Sequence, residues 1–228
     1  MAIVLSDLIY ENWKEVHHRL SVMGFAMLGE PISRAGSECM VVRNNKVAFL
    51  VFRGTEASKG STSDILSNIG VPVPWAGQGL AHSGYDHHFA MIRVQARARA
   101  ELIKTATPLH ITGHSLGGVL ATMYASWVGS GSPDDHKIMS LISFGAPKAL
   151  SKAAVATIKA PGYRYTNRYD FAPHWQPGLV LGHPEQQVMV NSGGWAGPVS
   201  RHGSGKYIKA VAEAPIHYLG GNQGHGEG

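Results

Sequence analysis

The apolar positions of the chain follow two periods in turn. Over residues 6–23, Leu8, Ile9, Trp13, Val16 and Leu20 recur every three or four positions, which predicts one amphipathic helix that Ser6 or Asp7 could cap. Residues 39–43 (CMVVR) and 47–53 (VAFLVFR) are rich in Val and Phe and predict two strands. Asn44-Asn45 between them predicts a tight hairpin turn, because Asn tolerates positive φ. Residues 54–84 hold many Gly, Ser and Pro and predict an irregular excursion, with one short helix near Asp64 to Ile69. Such a length without regular structure points to function. Over 86–104 the helical period returns, with Phe89, Ile92, Ala96, Ala100 and Ile103 on one face.

The second half alternates strand and helix. Leu109 to Thr112 reads as a short strand that meets Gly113-His114-Ser115-Leu116-Gly117-Gly118, and the helix-like run VLATMYASWV follows. IMSLISF (138–144) is another apolar strand, closed by Gly145 and Pro147, and residues 162–168 form a further one leading to Asp170. Short strands at 178–181 and 186–190 and a helix over 203–214 complete the reading, before a glycine-rich tail at about 219–228. Buried strands alternating with helices predict an α/β sheet in a single domain over residues 1–228.

Composition narrows the picture. Of 228 residues, 44% are hydrophobic and 15% charged, which provides a sizeable core and excludes a disordered chain. The 28 glycines show no three-residue period, so a collagen-like fibre is excluded. The net charge of +5 is scattered rather than gathered into a basic stripe, so no nucleic-acid partner is expected. Cys39 has no second cysteine to pair with, which excludes a disulfide framework within the chain. The N-terminus lacks a basic start followed by an apolar stretch, so no signal peptide is read, and a cytoplasmic location or a non-classical export route is expected. Apolar runs are short, so no transmembrane segment is expected.

The sharpest chemistry lies at Gly113-His114-Ser115-Leu116-Gly117. A GxSxG string gains meaning where a strand enters it and a small-residue helix leaves it. Side chains two positions either side of the serine would collide with neighbouring backbone, hence Gly113 and Gly117. Ser115 is then presented at a helix N-terminus, where the Leu116 N–H can face developing negative charge. A serine needs a base to become a nucleophile, and the base needs an orienting acid. Among the acids after Ser115 (Asp134, Asp135, Asp170, Glu185, Glu213 and Glu227), Asp170 ends a strand, where sheets of this kind keep their sites. For the base, His174, His183, His202, His217 and His225 remain open on this reading, with His202 in a loop long enough to reach back. His82, Asp86, His87 and His88 could suggest a metal, but they read better as capping or solvent-facing groups at a helix start. Gly203-Ser204-Gly205-Lys206 lacks the earlier glycine and the Ser or Thr of a phosphate loop.

These pieces resemble the class 3, fungal-type triacylglycerol lipases of the α/β-hydrolase superfamily, over about residues 38–215 and in family order. VAFLVFRGT (47–55) is similar to the oxyanion strand with its RG[ST] ending, and Asp64 to the acid that follows it. His82-Ser83-Gly84-Tyr85 resembles HxGF or HxGY, LHITGHSLGG (109–118) the elbow, and ISFGAPKA (142–149) the TFGxPR strand. YRYTNRYDFAPHW (163–175) resembles the segment that carries the acid, and His202 through Tyr207 the ending that carries the base. The resemblance implies an α/β-hydrolase fold, a mostly parallel central sheet with helices on both faces. It implies Ser115 as nucleophile, Asp170 as acid, His202 as base, and Thr55 and Leu116 as oxyanion-hole residues. It also implies an ester or lipid substrate, met at a lipid–water interface, and no metal or organic cofactor. Arg53 is expected to pair with Asp64, and His82 to be a core histidine near the elbow.

The chain departs from the pattern at Phe171 and Lys148, which leave the chemistry intact. A lid or cap is sought within 56–80. EASKGSTS (56–63) is polar and makes a poor apolar flap, whereas IGVPVPWAG (69–77) either covers the site or packs onto the body. The polar segment keeps a short-chain carboxylesterase or phospholipase open as the alternative. A non-catalytic α/β binding protein is the alternative of another class.

Overall fold

One strand of unbroken apolar character, Ala48–Phe52, is buried along its whole length. The computed structural model describes residues 1–54, 70–76, 78–103, 106–131, 138–174, 181–183, 186–193 and 198–213. In chain order the helices are α1 (Ala2–Leu8), α2 (Trp13–Val22), α3 (Ser83–Ala100), α4 (Leu116–Gly129), α5 (Lys152–Val155), α6 (Pro198–Arg201) and α7 (Ser204–Glu213). The strands are β1 (Ala26–Met27), β2 (Ile32–Arg34), β3 (Ser37–Arg43), β4 (Ala48–Phe52), β5 (Pro72–Pro74), β6 (Leu80–His82), β7 (Leu109–His114), β8 (Ile138–Phe144), β9 (Leu150–Ser151), β10 (Gly162–Asn167), β11 (Leu181–Gly182) and β12 (Gln187–Val190).

The large sheet runs β1-β3-β4-β7-β8-β10-β12, with β2 on β3. From β4 to β12 every pairing is parallel, while β1, β2 and β4 meet β3 antiparallel. All five residues of β4 are buried, as befits a strand covered on both faces. α3 and α4 cover one face, where Phe52, Phe89, Ile92, Leu120 and Leu141 belong to one core. α1, α2 and α7 cover the other, with Leu5, Leu8, Val16 and Leu20 over β3 and β4, and Ile3, Phe144 and Tyr207 toward β10. The α/β-hydrolase architecture expected from sequence is therefore present: a mostly parallel sheet between two helical layers. A second, small antiparallel sheet, β11-β9-β6-β5, was not foreseen. Its strands have two or three residues each, too few to show a period.

Three local expectations are corrected. The single helix over 6–23 is two, because the Asn12 side chain accepts the Glu15 N–H at 3.0 Å and starts a new helix at Trp13. Ser6 and Asp7 cap nothing there: Ser6 Oγ meets Thr112 Oγ1 at 3.1 Å, and Asp7 Oδ1 accepts from Ser204 Oγ at 2.7 Å. The turn after β3 does not use positive φ at Asn44 or Asn45. The Asn44 side chain instead accepts the N–H groups of Lys46 (2.8 Å) and Val47 (2.9 Å), so the turn is held by a side chain. The helix predicted over 86–104 begins at Ser83, and the short helix near Asp64 to Ile69 lies outside the described residues. Trp75 packs onto the body: it is buried against Phe89 and donates its indole N–H to Ser126 Oγ at 2.9 Å. No helix among the described residues is long and apolar enough to cross a membrane.

Candidate active site

β7 and α4 are joined by an elbow tight enough to explain its glycines. A Cβ on Gly113 would strike the backbone of Gly117 and Gly118, and one on Gly117 would strike the backbone of Phe52, Arg53 and Gly54 at the end of β4. Ser115, between them, has φ 58° and ψ −127°. That conformation is strained for a residue with a Cβ and persists only where the surroundings impose it. Here its N–H is held by the Phe144 carbonyl at 2.9 Å, and its own carbonyl takes the N–H groups of Gly118 and Val119. The result is a buried hydroxyl at the carboxyl end of the parallel strands, beside the first N–H groups of α4.

Three side chains far apart in sequence meet there. His202 Nε2 lies 2.7 Å from Ser115 Oγ, and His202 Nδ1 lies 3.0 and 3.1 Å from the two Asp170 oxygens. An ionised carboxylate only accepts, so Nδ1 carries the proton and Nε2 is left to accept the Ser115 hydroxyl. Asp170 is 1% exposed and fully engaged. Besides His202 it accepts the Ala172 N–H at 2.9 Å and the Tyr207 hydroxyl at 2.6 Å. The Tyr207 oxygen in turn accepts the Asn167 N–H at 3.0 Å. Burial and the Asp170 charge raise the Tyr207 phenol pKa, so it remains a donor. Gly145, at φ 60°, closes this wall: a Cβ there would crowd Asp170, Tyr207 and His202.

The loop that carries His202 is fixed from several sides. The Asn167 amide donates to the Arg201 carbonyl at 3.0 Å, immediately before His202. The His114 ring lies 4.9 Å from the His202 ring, and its Nε2 is 2.6 Å from the His202 carbonyl. Phe171 flanks His202 on another side, with ring centroids 5.9 Å apart.

Other sequence candidates fall elsewhere. His174 is exposed, and His183 donates from Nε2 to the Pro173 carbonyl at 2.9 Å. Glu213 is exposed at the end of α7, 3.8 Å from Lys209. Asp134, Asp135, Glu185, Glu227, His217 and His225 lie outside the described residues, as do Thr55 and Asp64. Arg53 donates to Glu38 at 2.6 Å. His82 is a buried histidine whose Nε2 accepts the Gly70 N–H at 3.1 Å, with its ring 4.4 Å from that of Tyr85. Among the described residues no cluster of His, Cys, Asp and Glu could hold a metal ion; His88 Nδ1 is instead 2.9 Å from Ser37 Oγ. Sequence reasoning gave no site role to Tyr207, Asn167, His114, Gly145 or Tyr10. All but Tyr10 stood inside quoted motifs, but a motif does not say which neighbour each one bonds.

The chain has counterparts among known proteins. Residues 49–179 match the model of the family described as Lipase (class 3). Curated lipases of Rhizopus niveus and Rhizopus oryzae are each 26% identical over 156 residues, 65% of this chain and 40% of theirs. The chain thus spans well under half the length of those relatives. A solved triacylglycerol lipase, described as having a serine protease triad as its catalytic centre, superposes with a TM-score of 0.67 at 19% identity. That match covers 83% of this chain and 77% of the other, and it shows a shared fold.

Proposed function

The chain belongs to the class 3 lipase family, and from that premise we propose that it hydrolyses carboxylic esters of the triacylglycerol type through an acyl-enzyme on Ser115. One observation carries the reading: the unbroken Ser115–His202–Asp170 hydrogen-bond chain at a strained strand-to-helix turn. As Ser115 Oγ attacks the ester carbonyl, its proton passes to His202 Nε2, and the carbonyl π electrons move onto oxygen. Asp170 keeps the imidazole in the required tautomer and balances its charge. The Leu116 N–H, at the first position of α4, faces the oxyanion, with the Thr55 N–H as its expected partner donor. Each donor contributes roughly 3 kcal/mol to the transition state. Collapse breaks the bond to the alcohol oxygen, which takes the proton from Nε2. Water, deprotonated by the same nitrogen, then releases the acid and restores Ser115. No step calls for a metal or organic cofactor.

The test is labelling with a fluorophosphonate. The unaltered protein should label at one site and hydrolyse acyl esters, and Ser115→Ala should do neither while folding normally. Turnover retained by Ser115→Ala would remove the reading in favour of another nucleophile. No labelling and no turnover in the unaltered protein would favour a binding protein. A series of acyl lengths, offered emulsified and dissolved, separates a long-chain lipase from a short-chain esterase.

A further inference from the structure

We propose that His114 and Tyr10 are positioning residues for the base, acting on the main chain of His202 rather than on the reacting atoms. The inference rests on the catalytic reading above and adds to it a device built from the N-terminal segment, outside residues 49–179 matched by the family model.

His114 ends β7, one residue before Ser115, and is 5% exposed. Its Nε2 is 2.6 Å from the His202 carbonyl oxygen, and its Nδ1 is 3.3 Å from the Tyr10 hydroxyl. A carbonyl can only accept, so the proton of a neutral His114 sits on Nε2. Nδ1 is then an acceptor, and Tyr10 donates to it. Burial and the neighbouring His202 hold the His114 pKa down to about 3, so the His114 ring is uncharged at neutral pH. This neutrality matters for catalysis. The two rings are 4.9 Å apart, and His202 becomes an imidazolium in the transition state. A charged His114 would oppose that step; a neutral one donating to the backbone does not.

A second tether runs in parallel. Asp7 Oδ1 accepts the Ser204 hydroxyl at 2.7 Å, two residues beyond His202. Ser6, its neighbour in α1, is anchored to Thr112 of β7 at 3.1 Å. Residues 6–10 therefore reach the 202–204 segment once directly, through Asp7, and once through His114, and are themselves fixed to the strand that carries the nucleophile. His202 must satisfy Ser115 and Asp170 at once, and a misplacement of about 1 Å can cost a hundredfold in rate. Restraining the backbone of that loop is a direct way to hold both distances.

The experiment compares His114→Leu, His114→Gln and Tyr10→Phe on a soluble acyl ester, with folding followed by thermal melts. His114→Leu loses the donor and should lower kcat by about 10- to 100-fold with KM little changed. Glutamine can place an amide N–H near the position of Nε2, so His114→Gln should recover most of that loss. Tyr10→Phe should lower kcat by about threefold to tenfold, again without moving KM. If His114→Leu fails to fold, Tyr10→Phe decides: an unchanged kcat overturns the proposal. Wild-type kcat in a folded His114→Leu overturns it too, as does a His114→Gln no better than His114→Leu. These outcomes are distinct from failure of the catalytic reading, in which Ser115→Ala keeps turnover or the unaltered protein neither labels nor turns over.

Discussion

α4 carries a buried polar cluster at each end, and the two are built differently. At its N-terminus Ser115, His202, Asp170, Tyr207 and His114 meet around a backbone held at φ 58°. Three turns on, Ser126 accepts the Trp75 indole N–H, donates to the Ala154 carbonyl at 2.8 Å and lies 2.9 Å from Thr157 Oγ1. Both networks are buried and hydrogen-bonded. The second contains no titratable side chain, and its serine sits within regular helix. It joins the small sheet and α5 to the body, and an ordinary satisfied network suffices for that. The first holds a strained residue and ionisable groups that folding alone does not require. The conformation of Ser115 itself, at φ 58° and ψ −127°, together with the ionisable groups around it, sets this end apart from the joint at Ser126.

Two serine substitutions set the clusters against each other. Ser115→Ala should lower kcat by roughly 10⁵- to 10⁶-fold while leaving the melting temperature nearly unchanged, since alanine keeps the same Cβ. Ser126→Ala should do the reverse. It leaves the Trp75 N–H without a buried partner, while the Thr157 hydroxyl keeps the Ala154 and Ser126 carbonyls, and should cost about 2 kcal/mol in urea denaturation. Its kcat, measured well below the melting temperature, should stay within about twofold of the unaltered protein. A folded Ser126→Ala with turnover as low as Ser115→Ala would show that the two ends are coupled.

The strength of the sequence signal tracked how local each cause was. Gly113 and Gly117 could be explained before any coordinates, because the collision that forbids a side chain there follows from a strand turning abruptly into a helix. Asp170 stood out because the strand-like run YRYTNRY leads to it, which places a carboxylate at a strand's carboxyl edge. His202 did not separate from His174 or His183 on residue chemistry, because its selection depends on a loop 87 residues from Ser115 returning to the same strand end. The resemblance proposed His202, and the structure puts its Nε2 at Ser115. Tyr10 was invisible for the same reason: its link to His114 spans 104 residues and leaves no period or spacing. The helix break at Asn12 was the opposite kind of miss. Its cause, an Asn three residues before a Glu, is local and legible, but the apolar period runs through it unbroken.

Two neutral histidines, His114 buried and His183 half-buried, make the fold acid-sensitive. Burial, first, holds His183 down to about 4, helped by Arg164, and holds His114 down to about 3, helped by His202. Below the ordinary value of 6.5 the unfolded chain takes up protons at both rings while the folded chain does not. Stability should therefore be complete above that value and fall as the pH drops, by roughly 1 kcal/mol per histidine over the first unit. Urea unfolding at several pH values checks this. His183→Gln, which keeps an amide donor for the Pro173 carbonyl, should flatten the slope. An unaltered slope would mean that His183 is not held neutral by the fold.

The smallest effect concerns Tyr207, which distinguishes support of the acid from the chemistry itself. Its hydroxyl donates to Asp170 at 2.6 Å and accepts from Asn167 at 3.0 Å, so it ties the carboxylate to the end of β10. In Tyr207→Phe, Asp170 keeps the Ala172 N–H and the His202 ring, so the carboxylate stays oriented by two of its three kinds of donor. Activity should accordingly fall by only about tenfold, near 1.4 kcal/mol, in kcat rather than KM. Asp170→Asn removes the charge and the tautomer control together and should cost about 10⁴-fold. If the tyrosine variant matched the asparagine variant, the phenol would have to be counted with the reacting groups rather than as their scaffold.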